Sequence, residues 1–190
     1  MRVIFLIGQS NTGKDTIMNL LLKELTYLKG YVYNTTRPMR EGEENGVTYN
    51  FKTYEEFQRD LELEEVIEYR EYKMADGNIV VYYTPAIKPD DNIYLLTGTV
   101  NMCKSCIKYY GSDIVVPIML QVSDRERLMR GILREDKNKR DYKEVARRFY
   151  DEFNEYNDEN INSIENLRRV ENVDLEDCVN ELKQIIESYV

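Results

Sequence analysis

The sequence predicts an α/β fold in three layers, a central parallel sheet covered by helices, with a small inserted subdomain and a mobile lid. Three observations predict it. Continuous apolar runs alternate with helical patterns toward both ends of the chain, as in strands buried on both faces of a parallel sheet. A glycine-bearing loop separates the first such run from the first helical pattern. Tyrosine-rich chain with a different periodicity fills the middle. At 190 residues one domain is expected, divided into a core (1–34, 86–127 and 149–190), a subdomain (35–85) and a lid (128–148).

In chain order, residues 2–7 form an unbroken apolar strand. The run stops at Ile7 and meets a glycine loop, so it is not read as a secretion signal. A helix is expected from about 15 to 28, with Ile17, Leu20, Leu21 and Leu25 on one face. Another is expected near 54–63 inside the subdomain. The runs at 92–96 and 113–122 are further buried strands, with helices between and after them. From 134 to 143 nearly every residue is charged or polar; nothing there can anchor the backbone to a core, which predicts a flap.

Composition narrows the chemistry. A net charge of −9 and a pI near 4.8 argue against a nucleic-acid partner, whose phosphates are bound by lysine and arginine. The charge is uneven: residues 1–40 are net basic, 41–80 strongly acidic, and 125–148 again basic, so local sites for a small polyphosphate remain. No apolar run is long enough to cross a bilayer, and no membrane partner is expected. Cys103 and Cys106 read as thiols buried on a helix in a reducing, cytoplasmic compartment. With no histidine and no second CxxC, buried thiols are preferred to a zinc site, and histidine-based catalysis is excluded.

The strongest motif is Gly8-Gln9-Ser10-Asn11-Thr12-Gly13-Lys14-Asp15-Thr16, between a predicted strand and a predicted helix, as a phosphate loop requires. Its glycines let several amide hydrogens point inward, the helix N-terminus adds partial positive charge, and Lys14 reaches the β and γ phosphates. Gly8, Ser10, Asn11, Thr12, Gly13, Lys14, Asp15 and Thr16 are the expected ATP contacts. The residue after the lysine is Asp15 rather than serine or threonine, so Mg2+ is assigned to Asp15, through a water, and to Thr16.

Two arginines three apart, Arg37 and Arg40, followed by a glycine turn and Tyr49, make a phosphate clamp. The stretch Thr35 to Tyr49 carries every fixed position of T-T-R-x-x-R-x-G-E-x-x-G-x-x-Y, and here the chain resembles the guanylate kinase family. The resemblance continues through Glu65-Val66-Ile67-Glu68-Tyr69, Tyr82-Tyr83-Thr84-Pro85 and Glu171-Asn172-Val173-Asp174-Leu175. It implies a phosphate-loop kinase fold and transfer from ATP to GMP. It also implies that Arg37, Arg40, Tyr49 and Tyr82 bind the phosphate of GMP, with Glu43 in the same site. Glu68 and Thr84 would face the base, and Asn172 would lie near the adenine of ATP. Guanine offers two neighbouring donors to a carboxylate such as Glu68, and losing such a charged bond costs about 1.5–3 kcal/mol, roughly tenfold to a hundredfold in selectivity. Three positions depart from the family. Tyr33 stands for a serine, Tyr83 for a glycine, and Leu95-Leu96-Thr97-Gly98-Thr99-Val100-Asn101 replaces a segment with two aspartates.

Arg130 and Arg134, four apart on a helix, and Arg147-Arg148 beyond the polar stretch resemble lid arginines of relatives, of which Arg130, Arg134 and Arg148 are assigned to catalysis. With Lys14 and Arg37 they form the expected catalytic set. No general base is required, because the attacking phosphate oxygen is already anionic. Two further readings stay open: a kinase of the same fold acting on a deoxynucleotide or ribose 1,5-bisphosphate, and a binding module without catalysis.

Overall fold

The computed structural model describes residues 1–74, 77–137 and 141–189. Packing divides the chain into two compact units, Met1–Gly30 with Asp91–Val190, and Tyr31–Asp90.

The first unit opens with strand β1 (Arg2–Ile7), in which Val3 to Ile7 are completely buried. Helix α1 (Lys14–Glu24) begins directly after the loop and turns Ile17 and Leu21 inward. It is shorter than the predicted 15–28. Thr26 and Tyr27, both weak helix formers, follow the buried Leu25, and Leu28–Gly30 leaves the helix to become an edge strand, β2. Gly30 packs closely under α1, where a Cβ would stand 3.0 Å from a methyl of Leu22.

The second unit is a sheet of strands β3 (Asn34–Thr35), β4 (Asn50–Phe51), β5 (Val66–Lys73) and β6 (Ile79–Pro85), in the order β4-β3-β6-β5. Helix α2 (Tyr54–Glu62) lies where the sequence predicts it, because Thr53 and Glu56 close a reciprocal capping box at its start. Its small core is Phe57, Val81 and Tyr83, with Val66 packed against it. Alternation along β6 turns Tyr83 inward and sets Tyr82 and Thr84 on the other face. Tyr83 is 1% exposed, its ring centroid is 5.1 Å from that of Phe57, and its hydroxyl donates to Asp60 at 2.8 Å. The tyrosine standing where relatives have glycine therefore fills the subdomain core.

The chain then returns to the first unit with β7 (Ile93–Gly98), α3 (Val100–Tyr110), β8 (Val115–Gln121), α4 (Asp124–Asp136), α5 (Tyr142–Glu155), α6 (Asp158–Asn162), β9 (Arg168–Glu171) and α7 (Leu175–Glu187). Among the described residues its strands run β2-β7-β1-β8-β9, all parallel. The core gathers Ile4, Leu6, Leu95, Ile118 and Leu120 from the sheet with Leu21 of α1 and Leu182 of α7. Cys103, Cys106 and Cys178 are free and buried, and burial raises the thiol pKa of Cys103 and pushes that of Cys178 up to about 11, so neither is an activated nucleophile. The polar stretch 134–143 is helical at both ends, in the last turn of α4 and the first turn of α5; residues 138–140 lie outside the described residues. No described helix is long and apolar enough to cross a membrane.

Candidate active site

The loop between β1 and α1 leaves the carboxyl end of the central strand, the position at which open α/β sheets bind ligands. Asn11 (φ 67°) and Gly13 (φ 91°) both take left-handed backbone, which asparagine and glycine tolerate best. The Lys14 ammonium folds back over the loop and donates to the carbonyls of Gly8 and Gln9. Its pKa is lowered, mainly by desolvation, while Asp15 and Glu152 pull the other way. The hydroxyl of buried Thr12 donates to the Gln9 carbonyl at 2.8 Å.

A cavity of about 320 Å³ opens in front of this loop, lined by Ser10, Asn11, Gly13, Lys14, Asp15, Thr16 and the three arginines Arg130, Arg134 and Arg148. The structure thus brings together the predicted loop residues and the predicted lid arginines, contributed by α4 and α5. Each arginine also touches a carboxylate: Arg130 donates to Glu126 at 3.1 Å, Arg134 lies 3.8 Å from Glu135, and Arg148 donates to Glu144 at 2.6 Å. Arg147 pairs with Glu144 and Asp151 and is absent from the cavity lining.

Gly8, Thr12 and Asn172 do not line the cavity. The Asn172 amide donates to the Thr12 carbonyl at 2.7 Å, and its own carbonyl accepts from Arg130 at 3.0 Å. Gly13 is pressed against the same amide, where a Cβ would stand 2.7 Å away. Asn172 therefore braces the loop from behind. Three residues that sequence reasoning missed brace it as well. Tyr156 donates to the Gly8 carbonyl, Glu152 accepts from the Ser10 amide, and Arg127, 1% exposed, bonds Glu152 and the Ser10 carbonyl. Only the helical spacing of Arg127 to Arg130 and of Arg148 to Glu152 hinted at them.

Where relatives carry the two aspartates, β7 ends at Thr97 and Gly98, in register with Leu6 and Ile7. A Cβ at Gly98 would meet the Phe5 ring at 2.8 Å. Thr99 caps α3 by accepting from the Met102 amide.

The second unit holds the other predicted cluster. Arg37 is 7% exposed and its donors are largely committed: two bonds to Glu43 at 2.6 and 2.5 Å, one to the Tyr82 hydroxyl at 2.9 Å and one to the Pro38 carbonyl at 2.9 Å. Its guanidinium also lies over the rings of Tyr49, Phe51 and Tyr82, at 5.2, 5.4 and 6.0 Å. The pairing with Arg37, helped by the Arg40 amide, holds the Glu43 carboxyl down to about 2. Glu43 is thus directed at Arg37. Arg40 is exposed and shares with Arg37, Tyr72, Met74, Val80 and Tyr82 a cavity of about 370 Å³. Thr84, fully buried, donates to Glu68 at 2.8 Å across the β5–β6 ladder. Tyr33 packs edge-on against Tyr31, with ring centroids 4.9 Å apart.

A family model described as guanylate kinase matches residues 1–189. The chain belongs to the guanylate kinase family. Among curated relatives it is similar to a guanylate kinase of Halalkalibacterium halodurans, 34% identical over 132 residues that make up 68% of this chain and 55% of that protein. A human guanylate kinase is 43% identical over 79 residues, 41% of this chain and 39% of the relative. The chain thus spans about half the length, or less, of the curated guanylate kinases it matches. The crystal structure of guanylate kinase from Anaplasma phagocytophilum shares the fold, with a TM-score of 0.62 at 24% identity over 99% of this chain and 86% of that one.

Proposed function

We propose that the chain transfers the terminal phosphate of ATP to GMP or dGMP, giving ADP and the nucleoside diphosphate. The observation that carries this reading is the cavity in which Lys14, the loop amides and three arginines of α4 and α5 meet. Phosphoryl transfer needs little covalent help; it is accelerated by positioning and by positive charge around the migrating group. Lys14 and the loop hold the donor's anionic tail, and Arg130, Arg134 and Arg148 surround it from the lid at 128–148. Arg37, Arg40, Tyr49 and Tyr82 hold the acceptor phosphate, with Glu43 fixing Arg37. Glu68 and Thr84 read guanine, Thr84 donating to the carboxylate that faces the base.

Mg2+ fits the donor set. Among the described residues no three acidic, histidine or cysteine groups cluster into a metal cage, but Mg2+ keeps most of its waters and needs only one or two protein oxygens beside the phosphates. Asp15 and Thr16, exposed on the cavity wall, would hold it. Bound there, it would neutralise negative charge on the donor's phosphates. Three reduced, buried cysteines suit a cytoplasmic enzyme, and the net charge of −9 suits small nucleotides rather than nucleic acid as partners.

A steady-state panel of GMP, dGMP, AMP and ribose 1,5-bisphosphate, read by ATP consumption, tests the reading. Turnover is expected with GMP or dGMP, and AMP should be poorer by roughly tenfold to a hundredfold in kcat/KM. Preference for ribose 1,5-bisphosphate would move the activity to the other kinase reading. ATP consumption with none of the four would leave only a binding role.

A further inference from the structure

We propose that Glu152 is a positioning residue of the donor site: it fixes the curvature of the phosphate loop and ties that loop to the helix that carries Arg148. The inference rests on the reading of the loop as an ATP site. Glu152 accepts from the Ser10 amide at 2.7 Å, while its second oxygen meets Arg127 at 3.3 Å. Arg127 also reaches the Ser10 carbonyl at 3.5 Å, bonds Asp124 at 2.8 Å and lies 4.7 Å from the centre of the Phe149 ring. Both backbone polar groups of Ser10, its amide and its carbonyl, are thereby gripped by one ion pair drawn from α4 and α5. The next residue, Asn11, turns the chain with φ 67°, the left-handed conformation that asparagine adopts more readily than other non-glycine residues.

Charge explains why the clamp is a pair. A lone carboxylate beside a phosphate loop would repel the ligand; Arg127 neutralises Glu152 where it stands. The C-terminal end of α5 and the residue that follows it make two more backbone bonds, Tyr156 to the Gly8 carbonyl at 2.8 Å and Glu155 from the Asn101 amide at 3.0 Å. One turn earlier, Arg148 enters the cavity. A single helix therefore holds the loop near its C-terminal end and offers it a guanidinium one turn earlier, and Glu152 is the link between the two.

The test compares wild type, Glu152→Ala and Glu152→Gln by amide hydrogen exchange and by calorimetric titration with ATP and, separately, GMP. In Glu152→Ala the Ser10 amide should lose protection and ATP should bind roughly tenfold to a hundredfold more weakly, the worth of one charged hydrogen bond. GMP affinity, assigned to residues of the other unit, should stay within about twofold, by the same reckoning that no bond there is touched. Glu152→Gln keeps an acceptor for Ser10 and should recover most of the ATP affinity. Unchanged ATP affinity in Glu152→Ala, or equal weakening of ATP and GMP, would overturn the proposal. If Glu152→Ala does not fold, Arg127→Met with Glu152→Leu removes both charges at once, a replacement buried pairs tolerate. That variant should still bind ATP weakly, and wild-type affinity in it would equally overturn the clamp. Wild type that ignores ATP while its Ser10 amide is protected would instead sink the donor-site reading on which the clamp depends.

Discussion

Arg37 in the subdomain and Arg148 on α5 are both paired to a glutamate, yet they are held very differently. Arg37 is 7% exposed, bonded to Glu43 through two nitrogens and covered by three aromatic rings. The Arg148 side chain is 50% exposed, bonds Glu144 through one nitrogen and shares that carboxylate with Arg147. Exposed ion pairs contribute little and are exchanged easily, whereas a buried guanidinium with satisfied donors moves only at the cost of all its bonds. In the proposed reaction Arg37 is thus set in place beforehand, and Arg148 is free to exchange its glutamate for a phosphate. The contrast suits a reaction whose largest charge change occurs at the migrating phosphoryl group, where a late-arriving cation is worth most.

The hardest way to break the donor side is to remove its central charge. Lys14→Ala should lower kcat/KM by roughly 10³-fold, with the melting temperature within about 3 °C of wild type, because among the described residues the ammonium bonds carbonyls of its own loop. Retention of activity in steady-state assays would remove the loop from the chemistry.

A sharper cut separates two neighbours on one helix. Arg148 lines the cavity, while Arg147 spends its donors on Glu144 and Asp151. Arg148→Ala should reduce kcat by about 10²-fold, whereas Arg147→Ala should change it by less than about twofold, as expected of a surface pair. Equal losses in kcat at saturating ATP and GMP would mean that the cavity lining does not identify the acting guanidinium.

Much of this layout is legible in the sequence because it rests on short-range rules. β1 and the loop follow from an apolar run meeting glycines, and α2 from the Thr53 and Glu56 box. The convergence of Arg130 and Arg134 follows from helical spacing. What escapes depends on partners distant in the chain. β2 exists because Leu28–Gly30 finds β7, more than sixty residues on, and β9 because Arg168–Glu171 finds β8; neither segment has a run long enough to announce a strand. Arg127 and Glu152 look like ordinary members of charged helices, and only the fold delivers them to Ser10. Tyr83 is marked in the sequence only as a bulky residue standing for a glycine; strand alternation, once β6 is known, sends it away from Tyr82 and Thr84 into the subdomain core.

The gentlest probe of the contrast uses acid on the locked side. Arg37, with help from the Arg40 amide, holds the Glu43 carboxyl down to about 2 from an ordinary value of 4.5. A carboxyl depressed in the folded state stabilises the fold fully above its unfolded pKa, and that contribution is lost as pH falls through the folded value. The subdomain should therefore weaken between pH 4.5 and 2, and Glu43→Gln should flatten that slope while lowering stability slightly at neutral pH. Glu144 is depressed to a similar value by Arg147 and Arg148 and titrates in the same window, so a global melt would mix the two units. Amide exchange along the β3–β6 ladder, where Thr36 donates to Val81 at 2.9 Å, reports the subdomain alone. An unchanged acid slope there in Glu43→Gln would show that the rings around Arg37, and not its glutamate, hold the guanidinium in place.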